Sequence, residues 1–159
     1  MHTKRLEEIE VSFNDYEVGP DRFVRCVWAL HMYRHHVFRT DLSDQLILSI
    51  NRINESLGIS VKTIDLNEYK DSFRSSKNLN KSIEENEYPL WIWFYGVEAL
   101  KEQDFSGWLR SRLTVRSIEN LRTIFVAESQ HDYQDIFRDS SAPFYQSTML
   151  LQTKTLMEK

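Results

Sequence analysis

A chain of 159 residues that is 41% hydrophobic, 13% aromatic and 28% charged can build one domain with a substantial core. With only four glycines and three prolines it is neither collagen-like, linker-dominated nor disordered. A formal net charge of -4 argues against nucleic acid or an anionic membrane as a partner recognised by overall charge, and leaves room only for a local basic patch.

The single cysteine, Cys26, permits no intramolecular disulfide, and its expected job is buried packing in a reducing compartment. The start, Met1-His2-Thr3-Lys4-Arg5-Leu6-Glu7-Glu8, is charged where a secretory signal would be apolar. No apolar run approaches ~18 residues, so no bilayer-spanning helix is expected and the assigned compartment is the cytoplasm.

Residues 1–21 read as an N-terminal lead-in to a single α/β domain over 1–159, with a turn-forming cluster of Asn14, Asp15, Gly19 and Pro20. The run Phe23-Val24-Arg25-Cys26-Val27-Trp28-Ala29-Leu30 is β-branched, aromatic and almost uninterrupted, which predicts a central first strand. Leu42, Leu46, Ile47, Ile50, Ile53 and Leu57 then recur at helical spacing. They predict a helix over 41–57, capped by Thr40 or Asp41 and ended by Gly58.

Residues 59–66 predict a short strand, followed by polar helical segments over 68–73 and 77–86. After Pro89, the run Leu90-Trp91-Ile92-Trp93-Phe94-Tyr95 demands cover on both faces and predicts a buried strand. Phe105, Trp108, Leu109 and Leu113 fit a helix, and residues 121–127 a further strand. Tyr133, Ile136 and Phe137 suggest a short helix before Pro143, and residues 148–153 a last strand. Strand and helix thus alternate with no hairpin dipeptide between strands. The expected fold is a three-layer α/β sandwich around a mainly parallel central sheet of about five strands.

From Phe23 to Thr153 this succession resembles, in layout, the core of AAA+-type and related P-loop NTPases, with a Rossmann-like sheet as the other α/β arrangement that fits. The resemblance makes Trp91 to Tyr95 the strand that carries acidic magnesium-handling residues and Leu121 to Ala127 the strand that carries a polar sensor. Asp135-Ile136-Phe137-Arg138-Asp139 with Pro143-Phe144-Tyr145 resembles the region after the sensor. The motif G-x-x-x-x-G-K-[ST], whose backbone N–H groups and lysine hold phosphates, is missing. Its expected position holds His31-Met32-Tyr33-Arg34-His35-His36-Val37-Phe38-Arg39-Thr40, with no glycine and no lysine. Tyr95-Gly96 stands where the magnesium aspartate is expected, with only Glu98 beyond. The resemblance therefore implies a degenerate relative that is not an enzyme and uses no cofactor.

The local features are read against plainer explanations. His31 and His35 are four apart, as zinc-binding histidines can be, yet no nearby Glu or Cys completes a set, and no metal is assigned. Tyr33, Arg34, His35, His36, Arg39 and Thr40 precede a helix start and make a candidate site for a small anionic ligand, which Asp41 and Asp44 oppose. Trp91, Trp93 and Trp108 are read as core rather than as a stacking platform for bases. Glu128, Ser129, Gln130 and His131 follow a strand at the edge where open α/β sheets bind ligands. A hydrolase built on Ser129 and His131 is the weakest reading, because Val126-Ala127-Glu128-Ser129-Gln130 lacks the glycines of a nucleophile elbow.

The polar tract over 71–86 is read as a solvated helix and loop. The leading expectation is a binding or regulatory protein acting through protein contacts, of the kind found in bacterial defence complexes or as immunity or antitoxin proteins. A nucleotide or phosphate-ligand domain without hydrolysis is the alternative.

Overall fold

The computed structural model describes residues 9, 19–84, 87–114 and 119–153. Most of the lead-in expected over 1–21, and the end of the helix expected over 77–86, lie outside the described residues.

The first correction concerns the run from Phe23 to Leu30, which forms most of a helix, α1 (Pro20–Ala29), with Leu30 as its C-cap. Pro20 occupies the first helical turn, where its missing N–H costs nothing, and Asp21 complements the helix dipole there while pairing with Arg25 at 3.0 Å. Val24, Val27 and Trp28 form the buried face. Cys26 is half-buried. The first strand comes later, as β1 (Arg34–Phe38), inside the segment expected to be the loop that replaces a phosphate loop.

Next is α2 (Asp44–Ser56), which starts later than its apolar stripe suggests. Its cap is Ser43, whose Oγ accepts from the Leu46 N–H at 3.1 Å, rather than Thr40 or Asp41. Gly58 ends it as expected, with the positive φ of 80° that a left-handed terminus requires.

The strand β2 (Ser60–Asp65) falls where expected. The polar segment after it makes 3-10 turns at Leu66–Glu68 and Phe73–Ser75 in place of a helix over 68–73, and then α3 (Lys77–Ile83). The elements β3 (Leu90–Tyr95), α4 (Gln103–Thr114) and β4 (Leu121–Ala127) match their sequence signals. A short helix, α5 (Gln130–Tyr133), runs into a π turn over Gln134–Arg138, and β5 is only Met149–Leu150.

All five strands are parallel, in the order β2-β3-β4-β1-β5. Two apolar cores flank the sheet. Val24, Val27 and Trp28 of α1 and Leu46 and Ile50 of α2 pack on one face against Val37, Trp91, Trp93, Ile124 and Val126. Leu79 and Ile83 of α3, Phe105 and Leu109 of α4, and Ile136 and Phe137 pack on the other against Ile64, Ile92, Phe94 and Phe125. This is a three-layer α/β sandwich.

Trp91, Ile92, Trp93 and Phe94 are all buried, each contributing roughly 1.5–3 kcal/mol through the surface it removes from water. Trp108 is half-buried and packs on Phe73 at 4.9 Å. The β2 edge exposes Lys62 and Thr63, polar side chains that discourage edge-to-edge pairing.

The connection leaving β1 runs through α2 on one face, and the connection leaving β4 runs through α5 on the other. These two strands are neighbours, so their carboxyl ends form the switch point at which open α/β sheets place ligands.

Candidate functional site

The turn after β1 spans Arg39 to Ser43 and also lacks glycine and lysine. The chain's own groups already engage Arg39. Its guanidinium donates to the Leu42 carbonyl and, at 2.8 Å, to the Asp44 carboxylate. Thr40 and Asp41 are exposed. Tyr95, at the end of β3, has its hydroxyl pKa raised by burial, against the charge of Arg39 and together with those of Glu128 and Asp44. Arg39, Asp44, Tyr95 and Glu128 therefore share one electrostatic neighbourhood at the carboxyl edge.

Beside them, Gly96 takes φ 65°, and a Cβ there would lie 2.1 Å from Oδ1 of Asp65. Asp65 caps the next turn by accepting from the Asn67 N–H at 3.0 Å. The Asn67 side chain donates to Glu98 at 2.5 Å. Glycine thus lets the β2 and β3 loops close on each other.

After β4, Ser129 is a helix cap, its Oγ accepting from the Asp132 N–H at 3.1 Å. His131 faces Asp135 at 3.2 Å. Lys101 bridges to Asp132 at 2.6 Å and to Asp135 at 3.8 Å, and its hydrogen bond to Asp132 raises its pKa. Ser129 and His131 are each engaged with a different partner, while Gln130 and Glu128 are exposed.

The candidates from Tyr33 to Thr40 do not form one cluster. His35 is 2% exposed and meets Phe23 edge-on at 5.4 Å, on the α1 side. His36 points to the opposite face, stacked on Phe137 at 5.1 Å, with Nδ1 2.8 Å from the Thr148 hydroxyl. Burial drives both imidazole pKa values down to about 4, with the neighbouring His36 adding to the effect on His35 and Arg138 to that on His36. Both rings are neutral at pH 7, so they bring no positive charge to an anion. His31 sits at the amino end with a left-handed φ of 55° and faces Glu119 at 3.2 Å, away from His35's surroundings.

Tyr33 and Arg34 lie at the amino edge of the sheet, far along β1 from Arg39. The Tyr33 hydroxyl donates to Glu119 at 3.2 Å, and its pKa is raised by burial and by that carboxylate.

Sequence reasoning passed over Lys101 and Asp132 at the carboxyl edge, and met Asp44, Tyr95 and Asp135 only as an opposing charge, a replaced magnesium ligand and part of the post-sensor resemblance. The spacing of His131 and Asp135, one helical turn apart, was a usable signal. It also passed over Arg122, which is 1% exposed. A lone arginine in the apolar run from Leu121 to Ala127 is the sign that a buried cation has a structural partner.

Together these features define an open, all-parallel α/β domain whose β1/β4 switch point is the position where such sheets bind ligands. Comparison with family models, curated proteins and solved structures yields no match for this chain. No helix among the described residues is long and apolar enough to cross a membrane.

Proposed function

We propose that this chain is a non-enzymatic binding or regulatory protein that works through protein contacts, on a P-loop-like layout whose nucleotide position is occupied by its own side chains. The observation that supports this is the engagement of Arg39 by the Leu42 carbonyl and the Asp44 carboxylate. A phosphate cradle needs free backbone N–H donors and an uncompensated cation. Here the Ser43 hydroxyl takes the Leu46 N–H, and Asp44 neutralises the arginine.

Protein contact is favoured by the sheet edge at β5, where Tyr145, Met149 and Leu150 are 38%, 50% and 47% exposed. Large apolar side chains beside a short edge strand supply the surface and the backbone groups that partners use. Bacterial defence complexes and immunity or antitoxin proteins are settings associated with small binding domains of this kind, and do not follow from the fold.

The test is co-expression of the tagged chain with the products of its neighbouring genes, beside a Met149→Lys, Leu150→Lys double variant. A partner retained by the parent chain and lost by the variant supports the proposal. ATP or GTP hydrolysis that Arg39→Ala abolishes would overturn it. A nucleotide-dependent rise in Tm, without turnover and removed by Arg39→Ala, would assign nucleotide binding to the carboxyl edge instead.

A further inference from the structure

The amino edge of the sheet carries a second concentration of charge, separate from the switch point. Arg34, at the start of β1, donates from Nε to the Ser147 carbonyl at 3.0 Å and from Nη1 to the Leu113 carbonyl at 3.4 Å. Both acceptors are neutral, so they orient the guanidinium without neutralising it. Arg110, near the end of α4, donates from Nε to the Ser147 hydroxyl at 3.3 Å. Two guanidiniums therefore converge on Ser147, and no carboxylate is bonded to either among the described residues. Glu119, which is near Tyr33, is engaged by Tyr33 and His31.

Like charges brought together at a partly buried position are unfavourable until an anion joins them. Burial and the charge of Arg110 both lower the pKa of Arg34. Arg34 also borders a void of about 10 Å³ whose other walls are Tyr33, Leu113, Leu121 and Thr123. That space accepts one oxygen atom. Thr123, only 2% exposed, lines it, and its hydroxyl has no hydrogen-bond partner among the described residues.

We propose that Arg34, Arg110 and Thr123 bind the phosphate group of a small molecule at this edge. A tetrahedral oxyanion has enough oxygens to place one in the void beside Thr123 and others against two planar guanidinium forks, whereas a carboxylate has only two. The carbonyls of Ser147 and Leu113 act as positioning groups that hold Arg34 in place before the anion arrives. The site lies at the sheet edge opposite Arg39 and does not depend on the protein-contact reading.

Inorganic phosphate is the probe, titrated into the full chain by calorimetry and by 31P NMR, at constant ionic strength with chloride as the balancing ion. Saturable binding is expected. The exposed Arg110→Gln variant should keep its Tm in chloride and bind phosphate about tenfold or more weakly, as loss of one charge-assisted contact predicts. Thr123→Val, which keeps the shape, should weaken binding at an unchanged fold, and Arg39→Ala should bind phosphate like the parent chain. Absence of saturable binding, or equal binding by the parent chain and Arg110→Gln, would overturn the proposal and leave Arg34 as a cap for the Leu113 carbonyl and Arg110 as a partner of the Ser147 hydroxyl.

Discussion

The Arg122 guanidinium lies 4.6 Å from the centre of the Trp28 ring and donates to the Trp28 carbonyl at 3.3 Å, so a cation on β4 closes the end of α1. The same group donates to the Val27 carbonyl at 3.0 Å and to the Glu119 carbonyl at 2.7 Å, and lies 4.6 Å from the Tyr33 ring centre. Burial lowers its pKa to about 10, which keeps it charged at neutral pH. A buried arginine is stable here because carbonyls and ring faces replace its hydration.

Replacing Arg122 by alanine removes those donors and opens a cavity between α1 and the sheet. The expected loss is about 4 kcal/mol, combining orphaned carbonyls with lost packing. Urea denaturation of the parent and variant chains measures it, and a loss below about 1 kcal/mol would contradict the role assigned to this side chain.

Acid should weaken the fold through β1. His35 and His36 have native pKa values of about 4 against about 6.5 in an unfolded chain, so between these values the unfolded state binds more protons. Stability is therefore complete above pH 6.5, declines as pH falls towards 4 and levels off below it. Each histidine contributes up to roughly 3 kcal/mol across that window. His35→Leu should shrink the decline, and because neither ring nitrogen of His35 has a partner among the described residues, it should cost little at pH 7. Denaturation midpoints at several pH values check this; identical pH slopes in the two proteins would refute it.

The true start of α2 is testable by three alanine substitutions. Ser43→Ala should cost about 1 kcal/mol, because the Leu46 N–H loses its acceptor. Thr40→Ala and Asp41→Ala, outside the cap, should each cost less than about 0.5 kcal/mol. A larger loss at Thr40 than at Ser43, by thermal or urea unfolding, would restore the earlier helix start.

Gly96→Ala should destabilise the carboxyl edge by about 1–3 kcal/mol, from its positive φ and from the contact with Asp65. Amide exchange should show the loss of protection concentrated around Asn67 and Glu98. A variant as stable as the parent would mean that the two loops do not require this close approach.

How much could be read in advance depended on the length and character of each signal. β3 and β4 were legible because consecutive bulky side chains demand cover on both faces, and α2 because its stripe runs for several turns. α1 was not, since an apolar run of eight residues fits a buried strand and a helix equally well. Pro20 followed by Asp21 was the available sign of a helix start. Misplacing the first strand made β1 look like a loop, so His35 and His36 looked like exposed cations. At the carboxyl edge, Glu128 to His131 were singled out by their position after β4, but their neighbours Lys101 and Tyr95 come from other elements and share no local pattern with them.

Composition and periodicity alone determined an α/β sandwich with a parallel sheet and most of its elements, because apolar spacing and strand burial are encoded within a few neighbouring residues. Tertiary structure decided which charges are available. Arg39 is matched by Asp44, Arg122 is closed in by carbonyls, and His35 and His36 lose their charge to burial, whereas Arg34 and Arg110 meet with no carboxylate bonded to either among the described residues. Those outcomes depend on distances between elements remote in sequence and on the removal of water, which no local pattern records.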